Sequence, residues 1–94
     1  MKIWKYDLDM EQPVQMVAMP DHALILSCQV QGVESLVLWA RVLPDNPTVE
    51  RWFYLVETGK EVPAGKIFTH ISTVQFWNGD YVLHVCEGIN PNDG

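Results

Sequence analysis

Three groups of residues in this chain carry side chains able to do chemistry. The first is His70, His84 and Cys86. Imidazole and thiolate are metal ligands, and in an alternating strand His84 and Cys86 share a face. No further ligand stands at a suitable spacing, and two His on facing strands of a hairpin are more often polar cross-strand neighbours. No metal is expected there. The third histidine, His22, follows Asp21 in a turn. The second group is Thr58-Gly59-Lys60. It resembles the end of a phosphate-binding loop, but the upstream Gly and the Ser or Thr after Lys are missing, so it is no P-loop. It reads either as a strand-ending turn in which Gly59 accepts a positive φ, or as a short anion contact built from the Thr58 hydroxyl, backbone N–H groups and the Lys60 charge.

The third group combines aromatic rings with guanidinium. Trp39 and Arg41 stand two apart, and Arg51 precedes Trp52, Phe53 and Tyr54. Bases stack on such rings and phosphates accept the paired donors of Arg. The plainer alternative is that the rings fill a core or subunit interface while Arg pairs with carboxylates. Catalysis finds no support. Ser27, Ser35, Ser72, Cys28 and Cys86 lie in no nucleophile elbow, apolar strand surroundings discourage thiolate, and the carboxylates are scattered without the paired spacing of a hydrolase. No catalytic residue and no cofactor is assigned.

Bulk properties narrow the partners. The chain has 94 residues, 48% hydrophobic and 19% charged, with a formal net charge of −6. That fits one domain. A domain this small buries only roughly 60–65% of its unfolded surface, which favours a homo-oligomer. Twelve acidic against six basic residues argue against duplex nucleic acid as a partner. Residues 1–7 become polar too early for a secretory signal, and no apolar run reaches membrane-spanning length. The expectation is a cytoplasmic protein without a membrane partner, with Cys28 and Cys86 as buried free thiols.

The elements that must position these groups are strands. Residues 3–8 alternate Trp4, Tyr6 and Leu8 against Lys5 and Asp7. Residues 14–19 form a second strand between Pro13 and the Pro20-Asp21 turn. Residues 23–31 place Leu24, Leu26, Cys28 and Val30 on one face, opposite Ala23, Ile25, Ser27, Gln29 and Gln31. Residues 36–43 are apolar on both faces, as in a central strand or one that meets a second subunit. Residues 51–58 follow, and Asn78-Gly79 marks a two-residue hairpin turn between residues 67–77 and 81–87. The expected fold is all-β: a small antiparallel sandwich or barrel of about seven strands with a C-terminal hairpin. Residues 1–87 form the single domain and residues 88–94 a mobile tail.

A resemblance adds to this reading. Residues 3–6, Met19-Pro20, residues 23–27 with Gln29 and Gln31, residues 38–40, Arg51 with Phe53, Thr58-Gly59, His84, Val85 and Glu87 resemble a family of small tailed-phage proteins across nearly the whole chain. That family often has Phe where this chain has Cys86, a further argument against a metal or nucleophile there. Small β-rich phage proteins are similar to sponges that sequester nucleotide signals of bacterial antiphage immunity. The resemblance implies a homo-oligomer that binds a small anionic nucleotide, a cyclic dinucleotide above all, without turnover. The residues whose chemistry suits such a ligand are Trp39, Trp52 and Tyr54 for stacking, Arg41, Arg51 and Lys60 for phosphate, and Thr58 and Gln29 as polar readers. The competing expectation is a protein–protein interaction module that inhibits a host protein or serves in phage assembly.

Overall fold

The computed structural model describes residues 1–93, which form seven strands in two antiparallel sheets. In chain order they are β1 (Lys2–Leu8), β2 (Val14–Pro20), β3 (Leu24–Gln31), β4 (Ser35–Val42), β5 (Thr48–Glu57), β6 (Ile67–Phe76) and β7 (Tyr81–Gly88). One sheet has the order β1-β4-β3 and the other β2-β5-β7-β6. The expected all-β fold of seven strands is found, and of the sandwich and the barrel it is the sandwich.

The core lies between the sheets because each strand turns alternate side chains inward. Leu8, Cys28, Leu36, Leu38, Ala40 and Val42 from the smaller sheet join Met19, Phe53, Leu55, Val74, Phe76, Leu83 and Val85 from the larger. Burying each large aliphatic or aromatic side chain contributes about 1.5–3 kcal/mol. The two apolar faces of β4 have their explanation here. It is the central strand of its sheet, so Leu36, Leu38, Ala40 and Val42 face the core while Val37, also buried, alternates to the other side with Trp39 and Arg41.

Three local expectations are corrected. In β3, strict alternation would group Leu24 and Leu26 with Cys28. Instead the pairing with β4 shifts between Ile25 and Ser27, a bulge that moves the inward set from odd to even positions. Ile25, Cys28 and Val30 therefore pack on the core, whereas Leu24 and Leu26 stay 48% and 45% exposed.

The β6–β7 hairpin is present, but its turn is longer than two residues. Phe76 pairs with Tyr81, a 3₁₀ turn spans Trp77–Gly79, and Trp77, Asn78 and Gly79 all have positive φ. A left-handed Trp costs about 1–2 kcal/mol. Its ring lies 6.0 Å from Phe76 and 5.8 Å from Tyr81, and such aromatic contacts offset the strain at about 0.5–1.5 kcal/mol each.

The segment expected as a free tail is tied down. β7 continues to Gly88, the Ile89 N–H donates to the Lys66 carbonyl at 2.9 Å, and Tyr54 Oη donates to the Ile89 carbonyl at 2.7 Å. Lys66 Nζ also reaches the Pro91 carbonyl at 3.3 Å. The domain thus extends beyond residue 87; Gly94 lies outside the described residues.

Candidate functional site

The eight residues expected to bind a ligand do not converge. Gln29, Trp39 and Arg41 share the outer face of the smaller sheet, where Gln29 pairs with Val37, Ser27 with Trp39 and Leu24 with Arg41. Lys5, directly across from Trp39 on β1, holds its Nζ 6.0 Å from the indole centroid and 3.4 Å from Gln31 Oε1. This is an open sheet face bordered by the exposed Ile3, Leu24 and Leu26.

The other five belong to the larger sheet and the loop that follows β5, and two of them have structural duties. Arg51 is not available to a phosphate. Its Nε and Nη2 donate to Glu87 Oε2 and Oε1 at 2.6 and 2.8 Å, and its Nη1 donates to the Ala23 carbonyl. The hydrogen bond to Glu87 and that carboxylate's charge hold the guanidinium above its ordinary value, against the lowering effect of burial. The group links β5, β7 and the start of β3. Tyr54 is no stacking surface either: it is 2% exposed, packed under Gly88 with its hydroxyl engaged by Ile89. Trp52 borders a hollow with the paired Arg51 and Glu87 and with Glu50 and Asp93, carboxylates that repel phosphate.

Thr58 and Lys60 do come together in a pocket, with partners the residue types had suggested for other reasons. After Glu57 ends β5, Gly59 takes φ +89° and the Lys60 N–H donates to the Glu57 carbonyl at 3.1 Å. The turn folds the 58–62 segment against the outer face of the larger sheet. A pocket of about 360 Å³ lies there, within the size range of small-molecule sites. Val56, Val62, Ile67 and Cys86 give it apolar walls, Thr58, Lys60, His70 and His84 supply the polar groups, and Glu57, whose carboxylate accepts from Tyr81 Oη at 3.0 Å, also borders it.

Hydrogen bonds join Thr58, His84 and His70 in series through Thr73. Thr58 Oγ1 lies 2.9 Å from His84 Nε2, His84 Nδ1 lies 3.0 Å from Thr73 Oγ1, and Thr73 Oγ1 lies 3.1 Å from His70 Nε2. The rings of His70 and His84 stand 6.1 Å apart. A hydroxyl on an imidazole is the contact used in nucleophilic catalysis. Here, however, the far ring nitrogen meets the Thr73 hydroxyl, with no carboxylate to stabilise an imidazolium during reaction. What the arrangement offers is an anion site: one ammonium, a hydroxyl and two imidazoles beside apolar walls. Sequence reasoning had both halves in view but missed Thr73 and the walls Val56 and Val62, which carry no local signal.

Burial makes both thiols poor nucleophiles. It pushes Cys28 up to about 12 from a usual 9.0 and raises Cys86 as well; Tyr6 and Tyr81 are raised chiefly for the same reason. Above about pH 8.5 the unfolded chain releases thiol protons that the native state keeps, so the unfolded state binds fewer protons and stability falls as pH rises. Urea denaturation is expected to show unchanged stability from pH 7 to 8 and a progressive loss from about pH 9 toward 12. A curve flat across that alkaline window would contradict the buried, protonated state of Cys28.

Among the described residues no group of three or more His, Cys, Asp or Glu is placed to hold a metal ion, and no helix is long and apolar enough to cross a membrane. A family model described as a domain of unknown function (DUF7352) matches residues 1–94. No curated protein and no solved structure matches the chain.

Proposed function

The chain belongs to that family of domains of unknown function, and from this premise we propose that it is a non-catalytic binding protein that sequesters a small anionic nucleotide, a cyclic dinucleotide being the favoured ligand. The observation that carries the reading is the convergence of Thr58, Lys60, His70 and His84 in one pocket with aliphatic walls. Lys60 and the Thr58 hydroxyl suit a phosphate, and Val56, Val62 and Ile67 suit the face of a base. The biological setting comes from the likeness of the sequence to small tailed-phage proteins: the nucleotide is a signal of bacterial antiphage immunity, and an abundant tight binder lowers its free concentration by mass action. One pocket takes one nucleotide moiety, so a two-fold cyclic dinucleotide engages two copies of the chain, in keeping with a symmetric homo-oligomer.

The experiment is calorimetric titration with a panel of cyclic dinucleotides and ADP-ribose-derived signals, followed by chromatography of ligand released on heating. The expected result is submicromolar binding, intact ligand on release, and at least a tenfold weaker Kd for Lys60→Ala, about 1.4 kcal/mol, with an unchanged melt. Degraded ligand would replace the sponge by an enzyme. Silence across the panel would favour a second reading, a protein-interaction module, for which the outer face of the smaller sheet speaks: Ile3, Leu24 and Leu26 are 62%, 48% and 45% exposed around Trp39, and such apolar surface marks interaction sites.

A further inference from the structure

We infer that His84 makes anion binding in this pocket proton-linked, so that occupancy takes up a proton and strengthens as pH falls. The inference rests on the anion-site reading above and concerns the state of the site when filled. Imidazole is the side chain that changes charge between about pH 5 and 8. Both nitrogens of His84 face hydroxyl oxygens, Thr58 Oγ1 at 2.9 Å and Thr73 Oγ1 at 3.0 Å, and a hydroxyl can donate or accept. The neutral ring is satisfied when Nδ1–H donates to Thr73 and Nε2 accepts from the Thr58 hydroxyl, while Thr73 in turn donates to His70 Nε2, 3.1 Å away.

Adding a proton from solvent at Nε2 requires only that one hydroxyl rotate. Nε2–H then donates to Thr58 Oγ1, and the Thr58 proton is released to point into the pocket. The pocket, which Lys60 also borders, gains a positive charge and a hydrogen-bond donor in one step. An anion stabilises that protonated form, and by linkage the proton stabilises the bound anion.

The charged and titratable groups around His84 are few. Lys60 and Glu57 come from the end of β5 and its loop, His70 from β6 and Cys86 from β7 itself. Glu57 accepts a hydrogen bond from Tyr81 Oη at 3.0 Å, and Cys86 holds its proton through this range because burial raises it. His70 is reached through Thr73, and in the arrangement above its Nε2 accepts. A cation on His84 leaves that bond intact.

The test uses sulfate, a dianion that does not itself titrate between pH 5 and 8, with sodium chloride at matched ionic strength as control. Proton NMR follows the ring resonances of His84 and His70, and backbone amides of residues 58–60, from pH 5 to 8. Sulfate is expected to raise the His84 midpoint by about one pH unit, equivalent to roughly tenfold tighter anion binding at low pH than at high. His84→Gln, which keeps a donor and an acceptor, is expected to leave a weaker sulfate response with a smaller dependence on pH, since His70 still borders the pocket. Sulfate shifts at residues 58–60 with an unmoved His84 midpoint would overturn the proton link and leave the anion site standing. No response to sulfate at any pH would remove the anion site, and the link with it.

Discussion

Replacing Arg51 by Ala is expected to destabilise the domain by up to about 3 kcal/mol, the low end of the cost of stranding one member of a buried ion pair, because here only the carboxylate is buried. Small domains are stable by only about 5–15 kcal/mol in all, so this variant is expected to be largely unfolded in mild denaturant or on modest warming. The reason is the company Arg51 keeps. Glu87 is 7% exposed, and both its oxygens accept from this one guanidinium. With Arg51 gone, a carboxylate remains in a place that water hardly reaches, and the Ala23 carbonyl loses its donor. Urea denaturation followed by Trp fluorescence measures the loss. The pair itself is another matter, because its desolvation opposes its attraction. Arg51→Met combined with Glu87→Leu is therefore expected to recover most of the stability. A single variant within about 0.5 kcal/mol of the parent, the range of ordinary surface changes, would show that the pair is not the clamp described.

The second large effect is expected at Gly88. A Cβ there would collide with the Lys66 carbonyl and lie 2.7 Å from Tyr54 Cε1. The carbonyl is held by the Ile89 N–H, and the Tyr54 ring is fixed at its far end by its hydroxyl, so neither neighbour moves freely. Overpacking of this kind costs about 1–3 kcal/mol, occasionally more; with backbone on one side, Gly88→Ala belongs at the upper end. A domain of this size is expected to melt roughly 12–24 °C lower for about 3 kcal/mol. Adding Tyr54→Leu removes the ring but leaves the carbonyl, so it is expected to restore little of the melt in calorimetry. An unchanged melting temperature for Gly88→Ala would mean that β6 and β7 separate at this end at little cost.

Neither residue declared its duty in the sequence. Arg51 beside three aromatics has the chemistry of a phosphate contact, and its partner stands 36 residues away. Gly88 looks like the start of a turn-rich tail because the atoms that crowd it belong to positions 54 and 66. What alternation does reveal is the strand inventory, since a half-buried strand writes its period directly into residue types. It misleads where the backbone breaks period, as at the bulge after Ile25 that turns Leu24 and Leu26 outward.

The pocket follows the same logic. Thr58-Gly59-Lys60 suggests an anion contact by its own chemistry, and His70 and His84 suggest a cross-strand pair by the hairpin. That these are one place depends on β7 lying between β5 and β6, a choice of neighbours that no local pattern encodes. Trp39, Arg41 and Gln29 fall on the other sheet for the same reason.

That strand order also sets a timetable. The larger sheet is assembled around its latest member: β7 is the last strand in the chain, yet it fills an interior slot. As the chain leaves the ribosome, β5 and β6 emerge without the strand that joins them, and chains in that condition expose unpaired edges and apolar surface. The segment that closes the sheet also brings Glu87 to Arg51. Until β7 emerges, therefore, Arg51 lacks its carboxylate partner and the core lacks Leu83 and Val85.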